Sequence, residues 1–180
     1  MQYRFAPLFS GSNGNAILVE MGDARILIDA GVSGSRIVAA LETQGVTPGM
    51  IDGILITHEH SDHVQGAGIL SRKYDIPLYA TRGTWEAMAG RMGRLSPSNV
   101  RELRAFQDFY IGRISVMPFP LPHDAAEPVG YCVACGGRRV AVATDIGHLK
   151  GEWIEAVSRC DLVLLESNHD VDMLKAGRYP

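Results

Sequence analysis

The sequence predicts an α/β protein made of mixed sheets with helices packed outside them. Two observations carry that reading. β-type runs outnumber helical ones, and several runs are joined by tight turns into antiparallel hairpins before helical crossovers begin. A simple doubly wound parallel sheet is therefore excluded.

The elements follow in order. Residues 16–20 and 25–29 are β-type runs joined by Met21-Gly22-Asp23-Ala24, a hairpin signal. Ser33 or Ser35 can cap a helix whose apolar positions Ile37, Val38, Ala40 and Leu41 repeat at helical spacing, and Gly45 stops it. Residues 51–57 read as a buried strand, 64–74 as a helix, 76–80 as a strand and 81–92 as a helix. Residues 93–99 read as irregular. A strand over 114–119 is expected to be broken by Pro118, Pro120 and Pro122. Residues 131–134 and 138–143 flank Gly136-Gly137, a two-residue hairpin signal. A short helix over 152–158 and a buried strand over 162–165 complete the pattern.

At 180 residues the chain is expected to be one domain spanning 1–180, long enough to bury a substantial core. Apolar residues at 46% and charged residues at 21% match an ordinary globular protein. A formal net charge of -3 excludes a general polyanion binder, although a local basic patch remains open. No signal-peptide pattern opens the chain and no run nears the ~20 apolar residues of a membrane span, so the cytoplasm is the default compartment. Three cysteines cannot form a complete disulfide framework. Cys132 and Cys135, three apart in a strand-like run, would face opposite ways and read as buried thiols, as does Cys160.

The chemistry concentrates in His58-Glu59-His60-Ser61-Asp62-His63. Half of the six histidines of the chain sit in this hexapeptide, which a surface loop would not explain. Imidazole and carboxylate are the ligands of divalent metals where thiolate is absent. At a strand end, residues two apart share a face, so His58 and His60 can grip one ion. A turn into a helix would bring Asp62 and His63 to a second ion, and paired ions activate water for hydrolysis. Further ligands are expected where apolar runs end in polar clusters. His123 is the candidate third imidazole for the first ion, and Asp145 a carboxylate bridging both. Asp29 reads as an acceptor that orients a ligand histidine. His148 reads as a helix-edge residue, and His169 as either a partner of the site or substrate, or a cap on its strand.

With these residues in place the sequence resembles the metallo-β-lactamase superfamily, whose ligand order is followed by 58–63, His123 and Asp145. More narrowly it is similar to the YycJ/WalJ-like metallo-hydrolases, through residues 8–15 (Leu-Phe-Ser-Gly-Ser-Asn-Gly-Asn), 27–31, 143–147 and 165–170. The resemblance implies an αββα four-layer sandwich with the metals at one edge between two sheets. It also implies nuclease or phosphodiesterase chemistry, the narrower group containing exonucleases that act on DNA. The family continues past a Tyr-Pro like Tyr179-Pro180 to a last ligand histidine in a Gly-His-Leu context. The present sequence stops at Pro180, so the fold is expected to be truncated at its C-terminus, with the last strand and helix missing.

The function expected is hydrolysis of phosphodiesters in nucleic acid, DNA favoured, through a metal-bridging hydroxide. His58, His60 and His123 would hold one ion and Asp62 and His63 the other, with Asp145 bridging. Asp62 and Asp145 would tune or orient the nucleophile. Zn²⁺ is the first choice of metal and Mn²⁺ the second. Ser12 and Asn13, in a loop rich in small residues, could grip a phosphate. Five arginines between Arg82 and Arg104, against Glu86 and Glu102, could contact a nucleic-acid backbone or form an ordinary solvated face. Two competing functions are a small-molecule hydrolase of the same fold (cyclic phosphodiester or thioester) and a metal-binding regulatory domain without activity. The oligomeric state is not legible.

Overall fold

A computed structural model describes residues 3–148 and 151–165. Two sheets face each other. The first has six strands in the order β1 (Tyr3–Phe9), β2 (Ala16–Met21), β3 (Ala24–Ile28), β4 (Gly53–Leu55), β5 (Leu78–Thr81) and β6 (Val100–Leu103). β1, β2 and β3 pair antiparallel; β3 to β6 pair parallel. The second sheet runs β11 (Leu162–Leu165), β10 (Arg138–Ala143), β9 (Val129–Cys135), β8 (Ile114–Pro120) and β7 (Phe109–Ile111). Only β10 and β11 are parallel there.

Strand periodicity builds the layers. In β2, Ile17 and Val19 point one way and meet Val116, Tyr131, Val133 and Val142 of the second sheet, forming the inter-sheet core. Leu18, on the opposite face, joins Leu27, Ile54 and Leu78 under the helices α1 (Gly34–Thr43) and α3 (Ala67–Tyr74). On the far side, Phe119, Cys132 and Ala141 pack under Trp153 and Val157 of α5 (Trp153–Ser158). The result is an αββα sandwich, mixed in both sheets as the sequence pattern required.

Several elements differ from expectation. β1, β6 and β7 were not foreseen. β1 is an edge strand carrying Pro7 and half-exposed residues, and β6 is mostly solvent-facing, so neither shows a buried alternation. The expected helix over 64–74 is two: α2 (Ser61–Val64), then α3, separated where the Gly66 amide donates to Ala30 O. Likewise residues 81–92 form α4 (Arg82–Met88) followed by a 3₁₀ turn. β8 is not broken by its prolines. Its pairing with β7 ends at Val116, so Pro118 and Pro120 need not donate on that side while β9 pairs the other.

The strand over 162–165 is not buried. β11 lies at the edge of its sheet, with only β10 beside it among the described residues, leaving Leu162 and Leu165 47% and 50% exposed. Cys132 and Cys135 do face opposite cores, both as free thiols, and Cys160 lies with its Sγ 3.2 Å from that of Cys132. No helix among the described residues is long and apolar enough to cross a membrane.

Parallel pairing sets the site. The C-terminal ends of β3, β4, β5 and β6 lie on one rim, where they release Asp29, His58, Arg82 and Arg104. The β8–β9 connection, carrying His123, reaches the same rim through Val129 N–H donating to Thr57 O at 3.0 Å. β10 ends there too, at Ala143, two residues before Asp145.

Candidate metal centre

After β4 the chain bends at Glu59, and His60, at φ −61°, ψ 149°, is the residue before α2. His58 and His60 turn toward the same space, and His123 comes in from the β8–β9 connection. Ligand atoms of these three lie within 4.8 Å of one another, as do those of His58, His63 and Asp145. His60 Nδ1 and His123 Nε2 stand 3.3 Å apart. Two nitrogens on a tetrahedral ion, each at about 2.0–2.1 Å, would be separated by roughly that distance. Asp145 Oδ2 lies 2.9 Å from His63 Nε2 and 4.0 Å from His58 Nε2, on the side where both histidines can be bridged.

The fit to a divalent ion can be tested on unmet bonding capacity. His58 Nε2 is a buried atom without a hydrogen-bond partner, and the buried Asp145 Oδ2 meets the His63 imidazole at 2.9 Å while standing 4.0 Å from His58 Nε2. Such groups are costly unless something satisfies them. A cation between them does so, and the donor set of imidazole and carboxylate suits one.

A buried network behind the ligands decides which nitrogen each histidine presents. Asp29, fully buried, accepts from Thr57 N–H through Oδ1 and from Thr57 Oγ1–H and His63 Nδ1–H through Oδ2, each at 2.8 Å. With its proton committed to Asp29, the Thr57 oxygen accepts from His58 Nδ1–H at 3.0 Å. Both His58 and His63 thus keep a proton on Nδ1 and turn Nε2 inward, where the metal-free His63 holds a second proton against Asp145 Oδ2. Burial lowers the pKa of His58 to about 2, reinforced by the neighbouring His63, so its Nε2 lone pair is free at neutral pH. Burial also opposes charge on His63, but the Asp29 and Asp145 carboxylates outweigh it and raise its pKa to about 10. The same His63 contact holds Asp145 below the usual carboxylate range despite its burial.

Backbone strain accompanies this arrangement. Asp29 and Asp145 both adopt left-handed backbone (φ 62° and 54°), at a cost of order 1–3 kcal/mol each. Aspartate tolerates that region better than most residues. The loop before β2 is tied to the same turn: Asn15 N–H donates to Asp62 O at 2.8 Å, and Gly31 N–H to Asn15 O at 2.7 Å. A Cβ on Gly31 would fall 1.5 Å from Asp62 O, which only glycine permits.

The structure thus brings together His58, His60, His63, His123, Asp145 and, in the role of orienting acceptor, Asp29. Asp62 sits at the margin, its Oδ2 3.6 Å from His63 Nε2, and His58 rather than Asp62 completes the set with His63 and Asp145. Ser12 and Asn13 do not reach the ligands; they line a cavity beside Asp62. Asn15 is the residue of that loop that touches the site, with Nδ2 3.1 Å from His63 Nε2. His148 is exposed on the loop after Asp145 rather than at a helix edge. Residues 166–170, His169 among them, lie outside the described residues.

Three residues were missed in the sequence. Thr57 directs His58; Asn15 contacts His63; and Glu59 Oε1 accepts from Ala126 N–H at 2.9 Å, holding the loop that carries His123. Their signal was adjacency to the ligands, or, for Asn15, position at the end of a small-residue loop.

This geometry has recognisable relatives. A family model described as a β-lactamase superfamily domain matches residues 24–177. The chain belongs to the metallo-β-lactamase superfamily. It is 39% identical, over all of its length, to a Bacillus anthracis protein named exodeoxyribonuclease YycJ, of which it covers 68%. It is 36% identical to exodeoxyribonuclease WalJ of Streptococcus pneumoniae over 98% of its own length and 66% of that protein. The chain therefore spans about two thirds of these relatives. Among solved structures, a metallo-β-lactamase variant of Cronobacter sakazakii superimposes with a TM-score of 0.70, covering 89% of this chain and 74% of that one at 18% identity. This last likeness concerns the fold.

Proposed function

We propose that the chain hydrolyses phosphodiester bonds of nucleic acid, DNA first, at a site holding two divalent cations. The observation that carries the reading is the convergence of buried ligand atoms where two ligand sets meet, with His58 Nε2 unpartnered and Asp145 Oδ2 between it and His63. The names of the two relatives, which match nearly the whole chain, support DNA as substrate and stepwise removal of nucleotides as the mode.

His58, His60 and His123 would hold one ion; His63 and Asp145, with Asp62 alongside, would hold the other. Zn²⁺ suits the donors best and Mn²⁺ is the second choice. Bound there, divalent ions would lower the pKa of water and neutralise charge gathering on the phosphoryl oxygens. The protein does the rest. Thr57 and Asp29 keep two imidazoles in the ligating tautomer. Glu59 fixes the His123 loop. Asp62, with a side chain 30% exposed, stands at the mouth, where it can accept a proton from the attacking water. Arg82 and Arg104, on the same rim, can meet backbone phosphates, although Arg82 is paired with Glu86 at 2.9 Å.

The test is parallel assay of metal-loaded protein on duplex DNA, bis(p-nitrophenyl) phosphate and a glutathione thioester, with His60→Ala alongside. Hydrolysis of the two phosphodiesters but not the thioester is expected. His60→Ala should lose the activity together with one equivalent of tightly bound metal, about a hundredfold or more in affinity. Undiminished hydrolysis in His60→Ala would refute the two-ion reading.

A further inference from the structure

Beside the metal centre, on the Asp62 side, lies a cavity of about 450 Å³. This volume falls within the roughly 300–1,000 Å³ of small-molecule sites. It is continuous with the centre, because Asp62 belongs to both: it lines the cavity and places Oδ2 3.6 Å from His63 Nε2.

One wall is a loop tied at its base. Ser12 and Asn13 form its tip, and its base is closed by Gly14 N–H to Gly11 O (3.0 Å) and by Gly11 N–H to the Asn15 side chain (3.1 Å). The Asn15 N–H bond to Asp62 O then ties the base to the metal-ligand turn, so the tip is held at a set distance from the reacting centre. The opposite wall is the 3₁₀ turn Ala89–Arg91 and Met92, anchored where an Arg72 Nη1–H donates to Met92 O.

The lining has a definite chemistry. Among the described residues Arg91 is the one cation of this lining and pairs with no carboxylate, its Nη2 donating to Ala87 O at 3.3 Å, while Asp62 is the carboxylate on the metal side. Ser12, Asn13 and Gln65 add neutral hydrogen-bonding groups, and Val64 and Met92 add apolar surface. One cation for an anionic group, several polar contacts and an apolar patch, in a space of this size, match a mononucleotide: phosphate, sugar and base.

We propose that this cavity is the subsite for the nucleotide on one side of the scissile bond, and that Arg91 pairs with its phosphate. The proposal rests on the phosphodiesterase reading above and adds a specificity residue to it.

The experiment compares the full chain, metal-loaded, as wild type, Arg91→Met and Arg91→Lys. Calorimetry measures binding of deoxyadenosine monophosphate and of deoxyadenosine, and steady-state kinetics measures cleavage of duplex DNA. Arg91→Met should weaken nucleotide binding tenfold or more and raise KM for DNA with kcat within about threefold, and Arg91→Lys should recover part of both. Binding of the uncharged nucleoside should be the same in all three proteins. Equal nucleotide affinity in wild type and Arg91→Met, or no nucleotide binding by the wild type, overturns the subsite. If the wild type still cleaves DNA in that case, the hydrolase reading stands without it. Arg91-dependent nucleotide binding by a protein that cleaves no phosphodiester would sink the hydrolase reading instead, leaving the cavity as a nucleotide site only.

Discussion

Asp29→Asn is the most discriminating substitution the structure offers, because it removes a charge and almost no volume. Asp29 receives three hydrogen bonds of 2.8 Å in a fully buried setting. Oδ1 faces a backbone N–H, so in the variant the amide oxygen must stay there and the NH₂ must take the place of Oδ2. That NH₂ would then donate to Thr57 Oγ1 and His63 Nδ1, where the carboxylate had accepted. His63 would give up its Nδ1 proton and keep only the one on Nε2, the atom that faces Asp145 at 2.9 Å. A ligand histidine so oriented cannot bind until it rearranges. Loss of an orienting partner of this kind costs about 10–100-fold in metal affinity or activity. The reversed and weakened hydrogen bonds should also cost about 2–3 kcal/mol of stability in the metal-free protein, since bonds to a charged acceptor contribute roughly 1.5–3 kcal/mol each. Competition with a chromophoric chelator reads the affinity, and urea unfolding reads the stability. An Asp29→Asn protein that binds both metal equivalents within twofold of wild type would refute the tautomer argument, because folded protein with intact affinity cannot have a misdirected His63.

Two further outcomes follow from the same geometry. Gly31→Ala should destabilise the protein by about 3 kcal/mol or more, because its Cβ would lie 1.5 Å from Asp62 O and 2.6 Å from Asn15 N, both backbone atoms; an unchanged urea midpoint would contradict the close approach. Metal binding should release a proton at neutral pH. In the metal-free protein His63 holds its second proton up to about pH 10, and an ion taking Nε2 must displace it, whereas His58, with a pKa of about 2, has none to lose. Affinity at the His63 ion should therefore rise as pH rises, by roughly tenfold per unit below that pKa. Calorimetry in two buffers of different ionisation enthalpy between pH 6 and 8 measures the proton, and zero release would contradict the raised pKa.

How far the sequence could be read depends on the range over which each feature is decided. The hexapeptide from His58 to His63 pointed to a metal centre because its residues are near neighbours: three histidines of one short segment reach one space, while Asp62 stays at its margin. The β-type runs over 16–20 and 138–143 were legible for the same reason, since a short apolar run bounded by turn residues is a local signal. The hairpins at Gly22 and Gly136 needed only turn chemistry. By contrast, β1 and β6 pair as edges or exposed strands, where neighbours rather than a buried pattern make the strand. Pro118 and Pro120 looked like breaks because only the sheet shows that β7 stops short of them. Leu162 to Leu165 read as buried because hydrophobicity does not reveal that, among the described residues, β10 alone lies beside that strand.

The sequence by itself determined that the chain gathers divalent-metal ligands at strand ends of a mixed α/β fold. The tertiary structure decided how those ligands work. Asp29 and Thr57, 28 residues apart, meet only when β3 and β4 pair in parallel, and that meeting sets which nitrogen of His58 and His63 faces the ions. Arg91 and Ser12 come to one cavity only because the loop before β2 and the turn after α4 pack on either side of Asp62. Ligand identity is a property of single residues and their near neighbours; protonation, orientation and the shape of the space beside the site are properties of contacts between distant segments, and these exist only in the folded chain.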